Sequence, residues 1–125
     1  MTGPYDGTVT LQALQPEAVP ALDAAYERAL AVVDPELLDV VTARIEWLVA
    51  GAPEPPALTD ARSLEVAAVI DQMLMDVARL DDDTVRRAAG HFPDGGLADL
   101  VMAAYIVEAR TRLRIASDRL LGGTA

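Results

Sequence analysis

The chain has 125 residues, 52% of them hydrophobic and 24% charged, which is the length of one ordinary domain with enough apolar side chain to offset folding entropy. A multidomain enzyme with separate cofactor and substrate lobes is excluded, and so is global disorder. Twenty acidic side chains face ten arginines, lysine is absent, and the formal charge is −10; such a field repels phosphate backbones and anionic head groups, so neither nucleic acid nor a membrane surface is an expected partner.

There is no cysteine, hence no disulfide, thiolate metal site or thiol redox chemistry. With His91 as the single histidine, no transition-metal site is expected, and Asp81-Asp82-Asp83 lacks the ligand spacing of a calcium loop. No glycine-rich phosphate loop follows a strand, and no histidine lies near Ser63 or Ser117 in sequence, so no cofactor and no serine triad is assigned. Residues Met1 to Asp6 lack the basic-then-apolar order of a signal peptide, and the apolar stretch Leu100 to Val107 is far short of the roughly 20 residues of a spanning helix. The expected location is the cytoplasm.

The aromatic share is only 4%, and an aliphatic, alanine-rich core favours helices over sheets. Residues 1–15 carry Gly3, Pro4 and Gly7 without helical period and are expected to form a flexible arm, with one short extended piece at Thr8 to Leu11. A single helical domain over 16–123 follows. Its first helix runs from about Pro16 to Val33, with Leu22, Tyr26 and Leu30 at four-residue spacing. Asp34-Pro35-Glu36 starts a second helix by a cap, a pre-set φ and an acid at the positive end of the dipole, and Gly51 follows its end near Ala50. The prolines of Ala52 to Pro56 make a stiff connector. Thr59 or Asp60 caps a third helix reaching about Leu80. The aspartates at 81–83 end it and start a fourth helix to about His91, and Asp94 caps a last helix from about Gly95 to Leu121, stopped by Gly122-Gly123. The expectation is an all-α bundle of about five helices.

Projecting the third helix at about 100° per residue puts Leu64, Ala67, Ala68, Asp71, Leu74, Met75 and Ala78 on one face, with Asp71 in its middle. A second apolar row, Val66, Ile70, Met73 and Val77, lies opposite. Two apolar faces predict a helix sandwiched between its own core and another helix or another subunit, and therefore a homo-oligomer. On the second helix Leu37, Val40, Val41, Trp47 and Leu48 surround Arg44. On the last helix the row from Leu97 through Val101 and Ala104 turns polar at Glu108 and Arg112, which stand one turn apart. Arg44, Asp71, Glu108 and Arg112 are thus either structural ion pairs that orient helices, because buried charges are normally paired, or a pocket in which Arg44 and Arg112 bind a ligand carboxylate while Asp71 and Glu108 handle a proton. His91 is either a helix-capping cation or the third catalytic candidate.

The segments Leu58-Thr59-Asp60-Ala61-Arg62, Leu80-Asp81-Asp82-Asp83-Thr84-Val85, and His91-Phe92-Pro93-Asp94 leading into Leu97-Ala98-Asp99-Leu100-Val101 resemble the C-terminal half of the carboxymuconolactone decarboxylase and alkylhydroperoxidase-D-like family. Upstream, Asp34-Pro35-Glu36-Leu37-Leu38 through Val41-Thr42-Ala43-Arg44-Ile45 looks like that family's first core helix. The family's last helix often carries Asn-x-x-Asn-Arg; Glu108-Ala109-Arg110-Thr111-Arg112 keeps only the arginine. The redox-active relatives also have a Cys-x-x-Cys helix after the first core helix, whereas here the chain passes from Gly51 straight into the proline connector. The resemblance, over roughly Asp34 to Leu121, implies an all-α homo-oligomer and a small-molecule site between helices, without peroxidase chemistry. The expected function is binding of a small organic acid, with cofactor-independent proton transfer such as decarboxylation or isomerisation as its chemistry. The alternative is a non-catalytic structural or regulatory oligomerisation module.

Overall fold

Short polar caps divide the chain into helices. The structure is a computed structural model that describes residues 11–122. Among them are six α-helices and no strand: α1 (Leu11–Leu14), α2 (Ala18–Val32), α3 (Pro35–Ala50), α4 (Ala61–Asp76), α5 (Asp82–Ala89) and α6 (Gly96–Leu120), with a 3₁₀ turn at Val77–Arg79 after α4. The all-α expectation holds, with one helix more than the five read from the sequence. That extra helix is α1, which includes Leu11, the expected end of an extended piece; the rest of that piece, Thr8 to Thr10, lies outside the described residues, as does Gly123.

Asp34 accepts the Glu36 N–H at 2.9 Å ahead of Pro35 at the first turn of α3. At the other end Gly51 takes φ 75°, the left-handed conformation that glycine adopts without a Cβ penalty, and the Ala52 N–H returns to the Glu46 carbonyl at 3.1 Å. Asp60 caps α4 through the Ser63 N–H at 3.0 Å, and Asp81 caps α5 through the Thr84 N–H at 2.7 Å. At α6 the cap position belongs to Gly95, at φ 81°, and Asp94 acts from one residue further out by accepting the Gly96 N–H at 3.2 Å.

Helix ends differ from expectation where no local cap dictates them. The third helix was expected to reach Leu80. It stops at Asp76, whose backbone is extended (φ −164°, ψ 87°) and whose carbonyl takes a hydrogen bond from the Gln72 side chain at 2.9 Å. The fourth ends at Ala89 rather than His91, and the first begins at Ala18, after a turn containing Pro16.

α3 is the central element, packed against α6 on one side and α4 on the other; α2 packs on α6, and α5 on α4. Its buried stripe is Leu37, Leu38, Val41 and Ile45. Facing residues are Val66, Val69 and Ile70 of α4 and Leu100, Ala103, Ala104 and Val107 of α6, in one aliphatic cluster. The two alanines let a 25-residue helix lie close to α3.

Of the two apolar faces of α4, the one that carries Asp71 is largely the outer side. Ser63, Val66, Ala67, Val69 and Ile70 are buried, whereas Leu64, Ala68, Met75 and Ala78 are exposed and Asp71 stands at the boundary. Val77 of the second row is also exposed, because α4 has already ended. Packing against α3 and α5 decides between two apolar rows that periodicity ranks equally.

The caps carry a pH signature. Asp60 and Asp81 are held below the usual carboxylate range, first by the backbone N–H donors of Ser63 and Thr84 and then by those side chains. Because the folded values lie below the unfolded value near 3.9, the stability they contribute is present above about pH 4 and is lost as pH falls through the folded values. Asparagine caps nearly as well but does not titrate. The double variant Asp60→Asn, Asp81→Asn should keep the wild-type melting temperature at pH 7 and lose less of it between about pH 4 and pH 2, as read by circular dichroism.

Candidate functional site

The five residues singled out by the sequence fall into three separate side-chain pairs. Arg44 donates from Nε to Asp71 Oδ1 at 2.9 Å and from Nη2 to Oδ2, a two-pronged contact that ties α3 to α4. Both side chains are about three-quarters buried or more, at 18% and 26% exposure, and the Arg44 guanidinium also lies 5.0 Å from the centre of the Trp47 ring. Its pKa is raised, principally by the hydrogen bond to Asp71, against the opposing effect of burial. Every strong feature of this pair is directed inward, at helix orientation.

Glu108 accepts from Arg112 Nε and Nη2 at 3.3 and 3.2 Å, within one turn of α6 and with Arg112 mostly exposed. His91, past the end of α5, contacts Glu65 of α4 through Nε2 at 2.9 Å. It therefore joins α4 to the segment after α5 instead of standing with the arginines. Of the five, only Arg44 borders either of the two clefts described here, a 250 Å³ apolar groove between α3 and Pro55, Pro56, Ala57 and Leu58 of the connector.

The larger cleft is elsewhere. α2 and α3 are joined by only Val33 and Asp34, and both pack against α6; away from that joint they leave a wedge floored by α6. Four α2 residues at i, i+3, i+4 and i+7, Val19, Leu22, Asp23 and Tyr26, form one wall, and Thr42 and Glu46 of α3 form the other. The floor is one face of α6, Val107, Arg110, Thr111, Arg114, Ser117 and Asp118, with Leu113 at its margin. The volume is about 500 Å³, within the range of sites that hold small organic molecules. Thr111 is the last buried residue of α6, so the helix changes from core element to cleft floor within this stretch.

Two guanidiniums one turn apart dominate its chemistry. Arg114 donates from Nη1 and Nη2 to the two oxygens of Glu46 at 3.2 and 3.0 Å. Its pKa is raised chiefly by that hydrogen bond, with the charges of Glu46 and Asp118 adding to it and burial opposing. Arg110 sits with its central carbon 3.8 Å from the centre of the Tyr26 ring, and its Nε lies 3.4 Å from Asp23 Oδ1. A guanidinium has five N–H donors. Arg114 commits both terminal nitrogens to a fork on Glu46; Arg110 is positioned by an aromatic face and one long contact, and its terminal nitrogens have no protein partner among the described residues.

The row read from the sequence runs through Glu108, Thr111 and Arg112, of which Arg112 lies on the exposed side of α6; Arg110 and Arg114, on the adjacent row, are not in it. The available signal was the i,i+4 arginine pair sharing a face with two hydroxyls. No cluster of histidine, aspartate or glutamate with metal-holding geometry occurs among the described residues. No protein-family model, no curated protein and no solved structure matches the chain.

Two substitutions separate the structural pairs by burial. Asp71→Ala should destabilise by about 1–3 kcal/mol, since it leaves a mostly buried guanidinium without its acceptor. Arg112→Lys should change stability by no more than about 0.5 kcal/mol, the size of an exposed one-turn pair. Urea unfolding of both variants gives the comparison; equal midpoints would show that Asp71 does not hold α4 to α3.

Proposed function

We propose that the chain is a small-molecule-binding helical module, a non-peroxidatic protein of carboxymuconolactone decarboxylase-like type, and that it holds a small organic acid in the cleft between α2, α3 and α6. The observation that carries this reading is Arg110: a guanidinium laid over Tyr26 at the wall of a 500 Å³ cleft with most of its donors unused. A planar carboxylate matches such a fork with two parallel hydrogen bonds. The apolar body of the ligand then rests on Val19, Leu22, Val107 and Leu113, and the Thr42 and Ser117 hydroxyls border it. This assignment moves the ligand from Arg44 and Arg112, which the sequence favoured, to Arg110, with the Arg114–Glu46 fork as fixed framework.

Thermal shift with benzoate and hexanoate tests this reading. A ligand bound to the native state at a hundred times its dissociation constant adds about 2.7 kcal/mol, on the order of 10 °C for a domain this size. Arg110→Gln should abolish the shift and Arg112→Gln should retain it. The reverse pattern would place the ligand at the outer face of α6, and no shift with either acid would remove the organic-acid reading.

A second reading, self-association, is favoured by one observation. Ala61, Leu64, Ala68 and Met75 form an exposed apolar strip along α4, with Leu64 at 49% and Met75 at 73% exposure, and the carboxylate at its edge, Asp71, is neutralised by Arg44. Between two chains of charge −10, contact requires a face without net charge, and this strip is one; its occupant in this reading is a second copy. Light scattering at micromolar concentration should give a multiple of 13.3 kDa, and Leu64→Asp should reduce it to a single chain. A wild-type mass of one chain would exclude this reading.

A further inference from the structure

The two carboxylates that face the arginines of the cleft are held very differently. Glu46 belongs to the central helix α3, is 30% exposed, and closes a two-bond fork on Arg114. Asp23 belongs to α2, is 58% exposed, and meets Arg110 through Nε alone at 3.4 Å. The helix that carries it is itself lightly held. Within α2 only Ala29 is buried, and the cleft-wall residues Val19, Leu22 and Tyr26 are half-buried. The buried contacts of this region, Ala29 and Val33, sit at the end of α2 next to the Val33-Asp34 joint, so the opposite end of the helix is the freer one.

We infer that Asp23 is a displaceable latch: an incoming carboxylate takes its place on Arg110, and the N-terminal half of α2 moves away from α6 as the cleft fills. The inference rests on the organic-acid reading of this cleft and adds to it the means by which the site opens. The exchange replaces one carboxylate by another at the same guanidinium, so the charge facing Arg110 is unchanged. Asp23 returns to water at little desolvation gain or loss, because it is already more than half exposed. Tyr26, three residues along, supplies the aromatic face under the guanidinium before the exchange, so the ligand fork is pre-positioned. In the unliganded protein Asp23 stands at Nε, so a carboxylate that binds side-on across Nε and one terminal nitrogen takes its place. The Asp23 carboxylate therefore lowers ligand affinity while tethering α2.

Benzoate titrations of the full chain, followed by calorimetry and by amide hydrogen exchange over 18–28, give the test. Asp23→Asn keeps the side-chain shape and removes the competing charge. It should bind benzoate about two- to fivefold more tightly than the wild type, the factor that corresponds to losing an exposed ion pair. Asp99→Asn removes one charge from the exposed first turn of α6 and should leave affinity unchanged. In the wild type benzoate should speed exchange over 18–28; in Asp23→Asn exchange there should be fast already and insensitive to ligand. Binding by Asp23→Asn alone would also support the latch. Wild-type binding with no gain in Asp23→Asn, or an equal gain in Asp99→Asn, would overturn the latch and leave the organic-acid site standing. Absence of binding in all three proteins would overturn both.

Discussion

Two helices joined by a two-residue connection, α2 and α3, pack against a third, α6, and the rest of the molecule depends on that constraint. The joint at Val33 and Asp34 holds α2 and α3 together at one end, where Ala29, Val33, Leu37 and Leu38 are buried. Toward the other end each follows α6 separately, and a wedge opens over its polar half. The length of α6 matters for the same reason. Its first turns pack through Leu97, Leu100, Ala103 and Ala104, and its last turns extend beyond the α3–α4 core, where Arg114, Ser117 and Asp118 meet the cleft.

The charge distribution follows from the same geometry. In a chain with half as many cations as anions, three arginines fix pairs of helices in relative rotation. Arg44 joins α3 to α4, Arg114 joins α6 to α3, and Arg110 joins α6 to α2. Ordered by burial and bond number, the first is a closed two-pronged contact, the second a more exposed fork, and the third a single long contact backed by an aromatic ring. Rigidity declines in that order from the core to the cleft wall, and the inferred ligand site lies at the loose end. This gradient connects stability to the proposed site: the pair that orients the core is a mostly buried two-pronged contact, whereas the pair that holds α2 leaves both terminal nitrogens of its guanidinium without a protein partner among the described residues.

Helix boundaries set by local chemistry were legible in the sequence. Asp34-Pro35, Asp60, Asp81 and Gly51 act on backbone groups within a few residues, so the sequence contains both partners of each contact. The core face of α4 was not legible in the same way. Leu64, Ala68 and Met75 are as periodic as Val66, Ile70 and Met73, and only the position of α3 and α5 decides which row is covered. Arg44 and Asp71 stood out because each interrupted an apolar stripe, and they do meet. Arg110 and Arg114 interrupted no apolar stripe, since beyond Val107 their face of α6 is polar, and their partners Asp23 and Glu46 come from distant helices. The last-helix arginine suggested by family resemblance, Arg112, pairs with Glu108 on the exposed side of the same helix; one-turn spacing identified the pair but not the direction in which it faces.

The proposed ligand site is the wedge over α6, away from the buried ion pair and from His91. The most direct test is to map benzoate onto the backbone amides of the ¹⁵N-labelled protein by NMR. Binding in the wedge should give chemical-shift changes concentrated over 19–26, 42–46 and 107–118, with the connector and the surroundings of Asp71 and His91 unchanged. Changes centred on Asp71, His91 or Pro55 to Leu58, with the α2 wall silent, would contradict it.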